Sequence, residues 1–499
     1  MNVLLIYPEF PDTFWSFRHA LKFIGKKAVS PPLGLLTVAA MLPADWSKRL
    51  VDANVTVLTE EDLGWADYAF IGGMIVQRKS ARQIITRCKE AGVTVVAGGP
   101  LFTIEYERFE EVDHFVLNEA ELTLPPFLED LKRGRAKKIY TSTKFADIQQ
   151  TPVPMWGLVD MDRYSTMEIQ FSRGCPYDCE FCNVTVLLGH QPRTKTAQQI
   201  ITELDTLYDL GWRASVFFVD DNLIGNKRCL KTELLPMLIE WQKDKVGFSL
   251  STEVSINLAD DKQLMQMMVE AGFRTVFIGI ETPDEESLAE CNKKQNMNRD
   301  LIDSVKNLHR AGLKVQGGFI VGFDNDTPSI FQRQIDFIQR SGIVTAMVGL
   351  LQAPPGTRLY QRLKQEGRLL DRISGDNVDG TTNIIPRMDL DTLHKGYESI
   401  MQYIYSPEHY YQRVKTFLRE YQPPKGKASR DLEYVWAFFR STYRLGILDK
   451  ARLNYWKLLF WTLSHRPRHL PHAITLAIYG FHFRKICELH AFGKLDSAG

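Results

Sequence analysis

The chain's 499 residues are 44% hydrophobic and 24% charged, a globular balance with room for more than one domain. Lys and Arg number 61 against 60 Asp and Glu, and a net charge of +1 argues neither for nor against nucleic acid. Seven cysteines, three clustered and four dispersed, do not read as a disulfide framework and suit a reducing cytoplasm. No apolar stretch reaches the roughly 18 residues of a membrane-spanning helix, and the apolar start at Met1–Tyr7 reads as a strand, not a signal peptide.

Residues 1–145 alternate β and α patterns. Apolar runs at Val3–Tyr7, Arg49–Val51, Tyr68–Ile71, Val93–Ala97 and His114–Leu117 predict strands, and Leu33–Leu42 and Ser80–Ala91 predict helices. This alternation is the mark of a parallel, doubly wound α/β sheet. Such sheets bind ligands in the crevice at the strands' carboxyl ends, which here carry Gly72-Gly73-Met74, Gly98-Gly99-Pro100 and Glu119. Glycines there admit a large ligand to the backbone, and they serve equally as plain turn residues. No G-x-G-x-x-G follows the first strand, which argues against a nicotinamide or flavin nucleotide.

Pro152 and Pro154 mark a linker into residues 146–375. After the strand-like run Met167–Phe171, strand and helix patterns alternate through about six β/α units, predicting a partial (β/α)6 barrel. Helices fall at Gln198–Leu210, Leu264–Ala271, Leu301–Ala311 and Ile330–Ser341, and strands at Ser215–Val219, Phe248–Ser251, Thr275–Ile280, Gly317–Val321 and Thr345–Leu351. The strand ends carry Asp220-Asp221-Asn222, Glu253 and Glu281, where a barrel keeps its reactive groups. Each carboxylate is equally readable as a solvated strand cap.

At the first of these strand ends stand Cys175, Cys179 and Cys182, spaced C-x3-C-x2-C. Thiolates so spaced can converge on one soft-metal centre from a short loop, and three ligands for a four-iron cubane leave one iron open. Zinc would need a fourth ligand, for which His190 is the nearby candidate. The motif resembles the cluster motif of radical S-adenosylmethionine (SAM) enzymes. With the α/β region ahead of it, the chain resembles the cobalamin-dependent branch of that family that includes hopanoid C-2 methyltransferase. Matching stretches include Tyr7-Pro8-Glu9-Phe10, Gly98-Gly99-Pro100, Glu119-Ala120-Glu121, Asp220-Asp221-Asn222 and Gly279-Ile280-Glu281.

The resemblance implies a 4Fe–4S cluster on Cys175, Cys179 and Cys182, and SAM met by Asp220, Asp221, Asn222, Glu253 and Glu281. It also implies cobalamin held at Gly72, Gly73, Met74, Gly98, Gly99, Pro100 and Glu119. The D-x-H-x-x-G motif that supplies cobalt with a histidine is absent, and His114 reads as a packed strand residue. The activity implied is methylation of an unactivated carbon of a small molecule or lipid, with a flavodoxin- or ferredoxin-like electron donor. A cobalamin-dependent radical cyclase or rearrangement enzyme, and a non-catalytic cobalamin-binding protein, remain as alternatives.

Residues 376–499 predict a helical end, with helices at Met388–Tyr405 and Pro407–Tyr421 and a linker at Pro423–Lys427. Beyond Asp431 the chain turns basic and aromatic, through Trp436, Phe438, Phe439, Tyr443, Trp456, Phe460 and Trp461. Periodic aromatics usually form a packed face; a basic amphipathic helix can also rest on an anionic membrane surface, making a cytoplasmic protein peripheral to the membrane. Nucleic acid is not expected, since no RNA-binding fold or basic stripe accompanies these residues.

Overall fold

The computed structural model describes residues 1–245, 247–370, 373–424 and 432–492. Lys425–Lys427 of the expected linker, Asp431 and residues 493–499 of the basic end lie outside the described residues.

The first sheet comprises β1 (Asn2–Tyr7), β2 (Ser47–Asp52), β3 (Tyr68–Gly72), β4 (Thr94–Gly98), β5 (His114–Val116) and β6 (Ile139–Tyr140). All six are parallel, in the order β2-β1-β3-β4-β5-β6. Val3, Leu4, Leu5 and Ile6 are wholly buried, as a central strand covered on both faces requires. The helix Leu33–Met41 is apolar all round and packs on β1 and β3. On Arg78–Glu90 the buried Ala81, Ile84, Ile85 and Cys88 form one stripe at helical spacing. The order reverses between β1 and β3, which opens a crevice beyond their carboxyl ends. The expected doubly wound region is therefore what forms, with β6 as an addition too short to show a pattern.

The second sheet begins with β7 (Thr166–Ile169). The small antiparallel pair β8 (Ser172–Arg173) and β9 (Arg193–Thr194) then brackets the cysteine loop. β10 (Ser215–Phe218), β11 (Ser249–Glu253), β12 (Phe273–Glu281), β13 (Lys314–Val321) and β14 (Ala346–Leu350) complete it. With β7 these strands are parallel neighbours in chain order, the expected six-stranded partial barrel. Closed barrels fill their interior with branched apolar side chains. Here Thr166, Ser215, Ser249, Ser251 and Thr275 line an open interior beside Phe217, Phe277 and Gln316.

The helices Leu390–Tyr405 and Pro407–Glu420 pack against the barrel's helices Leu301–Ala311 and Ser329–Ser341, and Arg452–His465 and Leu470–Phe492 pack on that pair. Arg413, wholly buried, anchors them: its Nη1 donates to Gln339 Oε1 (2.7 Å) and to the carbonyl of Ile404 (2.8 Å). The last of these helices also reaches the loop after β1. Phe14 stacks on Phe483 at 4.3 Å, and His482 Nε2 donates to the Phe14 carbonyl at 2.9 Å.

Candidate active site

The cysteine loop is fastened from behind. Asp220, just past β10 and wholly buried, accepts from the backbone amides of Phe171 (3.1 Å) and Ser172 and from the Ser172 hydroxyl. Burial drives its carboxyl up to about 7. Asn222 accepts from the Ser255 amide (3.1 Å) and points its own amide at Cys175 Sγ (3.9 Å). Gln295 Nε2 lies 3.7 Å from Cys179 Sγ, and the Cys182 amide closes a turn onto the Cys179 carbonyl (3.1 Å). Tyr177 accepts from Asn257 Nδ2 (2.8 Å), and Phe181 faces Phe323 at 6.3 Å.

A cation stands among the three thiols. Lys293 Nζ pairs with Glu281 Oε1 at 2.6 Å, with side chains 12% and 8% exposed. Burial works to lower the Lys293 pKa, yet Glu281 holds it above its ordinary value, and Cys179 and Cys182 add to this once they are ionised. Gly279 makes room for the pair, since a Cβ there would fall 2.2 Å from Glu281 Oε1 and 2.8 Å from Lys293 Nζ. Burial pushes the Cys182 thiol up to about 12 and raises Cys175 as well. Such thiols stay protonated until a cationic centre joins them.

Among the described residues no three His, Cys, Asp or Glu side chains are arranged to hold a single metal ion. Yet the charge of Cys179 is felt at both Cys175 and Cys182. Three thiols of one short loop, close enough to influence one another, suit a multi-iron cluster, which spreads its thiolates over separate irons. They fit a lone zinc poorly, and His190 is exposed.

Two arginines of the cysteine hairpin reach back to the first region. Arg173 pairs with Glu119 (2.8 Å) and Glu121 (2.9 Å), and Arg193 with Glu119 (3.0 Å). Glu119 also accepts from the Ala146 amide (2.7 Å). Arg173 and Glu119 are thus spent largely on each other. Lys195 is likewise buried against Glu203.

Between the two sheets lies a cavity of about 2960 Å³. Gly72, Gly73, Met74, Gly98, Gly99, Pro100 and Glu119 line its first wall, and Glu168, Gln170, Asp221 and Glu253 its second. Cys175, Cys179, Cys182, Asp220, Asn222 and Glu281 border this cavity through neighbours that line it, among them Arg173, Asn183, Val184 and Asp221. Gly98 has a packing reason for its identity: a Cβ would sit 2.6 Å from the Val116 carbonyl oxygen. Burial raises Asp221 to about 6, Glu168 to about 7 and, with the charge of Asp221 added, Glu253 to about 8. Among the described residues lining the cavity the one histidine is His472, at the far end from the first sheet. His114 is held by the Lys137 carbonyl (2.7 Å) and packs on Phe127.

Lys293, Gln295 and Glu168 were not foreseen. Lys293 and Gln295 sit in a polar stretch without periodicity, and Glu168 reads only as the polar position of an alternating strand.

The comparisons with known proteins agree with this geometry. A family model of the radical SAM superfamily matches residues 169–338, and a domain of unknown function, DUF4070, matches residues 357–494. The chain belongs to the radical SAM superfamily. It is 42% identical over 497 residues to an uncharacterized methyltransferase of Synechocystis, covering 98% of this chain and 92% of that one. It is 33% identical over 471 residues to hopanoid C-2 methylase of Rhodopseudomonas palustris, covering 91% and 88%. Its place is therefore in the radical SAM methyltransferase branch that includes that enzyme. Among solved structures, the fold matches the cobalamin-dependent radical SAM enzyme OxsB with aqua-cobalamin bound. The TM-score is 0.63 at 14% identity, with 99% of this chain and 80% of that one covered.

Proposed function

We propose that the chain methylates an unactivated carbon of a small molecule or lipid, using a 4Fe–4S cluster, SAM and cobalamin. The observation that carries this reading is the single cavity onto which the strand ends of both sheets open. Bound there, the cluster and SAM would supply hydrogen abstraction from carbon, and cobalamin the methyl group. Cys175, Cys179 and Cys182 would hold the cluster, with Lys293 balancing part of the thiolate charge. Asp221 and Glu253, which have no side-chain partners among the described residues, would receive the ammonium and hydroxyl groups of SAM. Asp220, Asn222 and Glu281 would act one step back, positioning the cysteine loop and Lys293. Gly72–Met74 and Gly98–Pro100 would let cobalamin approach the backbone, with Glu119 bracing that wall through Arg173 and Arg193. That no histidine lines that wall among the described residues supports cobalamin bound without a protein ligand to cobalt.

The working division is 1–145 for cobalamin, 146–375 for the cluster and SAM, and 376–499 for the helical end. Among the described residues no helix is long and apolar enough to cross a membrane. The helical end leaves Trp436, Phe439, Tyr443 and Phe460 at least 59% exposed beside Arg440, Arg444 and Lys457. This face would rest on an anionic membrane surface, which co-sedimentation with anionic vesicles tests. A flavodoxin- or ferredoxin-like protein would supply electrons.

Anaerobically reconstituted protein, given methyl-labelled SAM and a lipid extract, is expected to yield labelled product. Cys179→Ala is expected to lose the iron–sulfur absorbance and to slow SAM cleavage by about a thousandfold or more. Product formed without label sinks the transferase reading and favours a rearrangement. Unchanged cleavage in the variant sinks the ligand assignment.

A further inference from the structure

The cavity does not stop at the cofactor face. It continues down the open barrel to the opposite strand ends, where Arg274, Lys314 and, from the helical end, His472 line it. Lys314 opens β13 and Arg274 is the second residue of β12. Each lies seven residues from the far end of its strand, so about 23 Å separates this base from the cofactor face.

Among the described residues no ion pair meets the cations at this base. Lys314 Nζ makes no hydrogen bond or ion pair among the described residues. Burial lowers its pKa to about 8, and the neighbouring charge acting on it is that of Arg274. Arg274 gives Nη1 to the carbonyls of Val269 (2.7 Å) and Phe273 (2.9 Å); its Nε and Nη2 donate to nothing among the described residues. Glu270, which borders an outer depression with Arg274, is occupied by Gln266 Nε2 (2.8 Å). Thr275, the cross-strand partner of Lys314, adds a hydroxyl at the same level of the cavity. Half-buried charges without a counter-ion are costly, and a fold that lines one cavity end with two of them has a use for the anion that would pair them.

We propose that the base of the barrel cavity is an oxyanion site, formed by Arg274 and Lys314, that takes a phosphate or carboxylate at the far end of an elongated substrate. The substrate clause rests on the methyltransferase reading; the anion site stands without it. Lys314 and Thr275 face the barrel interior as cross-strand partners, and Arg274, from the alternate face of β12, reaches the same cavity at its rim. An ammonium, a hydroxyl and a guanidinium so placed suit a tetrahedral or planar oxyanion. An anion seated there would leave the reacting carbon of a chain about 20 Å long under the cofactor face.

The test uses the full-length protein without added substrate, so binding is read apart from turnover. Thermal unfolding in phosphate-free buffer is followed while sodium phosphate, or octyl phosphate below its micellar range, is titrated in. Both are expected to raise the midpoint, octyl phosphate with at least tenfold higher affinity. Lys314→Met and Arg274→Gln are each expected to weaken both at least tenfold, and Lys314→Arg to retain them. Lys314→Met is further expected to be no less stable than the parent without anion, because it removes a half-buried charge that has no partner among the described residues. Binding that neither Lys314→Met nor Arg274→Gln weakens overturns the site. Equal affinity for the two phosphates overturns the assignment to an elongated substrate and leaves a free-anion site. A chain that binds octyl phosphate as expected and transfers no methyl would overturn the functional reading alone.

Discussion

The two walls of the central cavity meet a ligand in different ways. The first sheet offers glycines, backbone and the half-exposed Met74, with its carboxylates, Glu119 and Glu121, already spent on arginines. The second offers ionisable side chains, some compensated at once and some not. Lys293 and Glu281 neutralise each other behind the surface, while Asp221 and Glu253 face the cavity unpaired. A neutral wall selects by shape, and its fit fails when a side chain intrudes. A charged wall selects by ionic partner, and it fails when the balance of charge is broken.

The sharpest contrast comes from breaking the compensated pair. Lys293→Met leaves Glu281 buried and alone, at an expected loss of about 3–5 kcal/mol in urea denaturation of the cofactor-free protein. Adding Glu281→Gln is expected to restore most of it; equal losses in the single and double variants would mean that the pair is not what matters. On the neutral wall, Gly98→Val drives a Cβ into the Val116 carbonyl, so β5 must shift. The expected loss is about 1–3 kcal/mol, with weaker retention of hydroxocobalamin on gel filtration. Full retention at parental stability would show that this wall yields.

The smallest effect is one of pH. The folded state holds Asp221 and Glu253 protonated up to about 6 and about 8, whereas the unfolded chain releases those protons near pH 4. Their stabilising contribution is therefore full below about pH 4 and is lost as pH rises through those folded values. The difference in urea midpoint between the parent and Glu253→Gln should grow in the variant's favour toward pH 8. A difference that stays constant would place Glu253 in contact with water or a cation.

Where apolar runs are long and strands are central, the fold is legible in the residues. β1, β3 and β4 announce themselves because both faces are buried, and Leu301–Ala311 is bounded by its Asp300 cap and Gly312. β6 is two residues long and exists only because β5 is beside it. Of the candidate site, the three cysteines stand out in the sequence by their spacing alone. The strand-end carboxylates could be read as a set but not sorted: position in sequence does not tell Asp220, which ties down a backbone, from Asp221, which faces the cavity. Lys293 was invisible because its partners lie on the cysteine loop and at the end of β12, and nothing local to Asn292–Gln295 signals either.

The contact between Phe14 and His482 spans 468 residues of chain. Phe17, Ile474 and Ile478, beside it, line the cavity, so part of the cavity's wall is made where the loop after β1 meets the helix Leu470–Phe492. Contacts so distant in sequence form late, after the first sheet and the barrel have had time to fold on their own. A ribosome still holding the last helix therefore carries a chain whose two sheets can be complete while the chamber between them stands open. That interval is when large cofactors have their widest path in, and closure by the carboxyl-terminal helix is the step that would trap them.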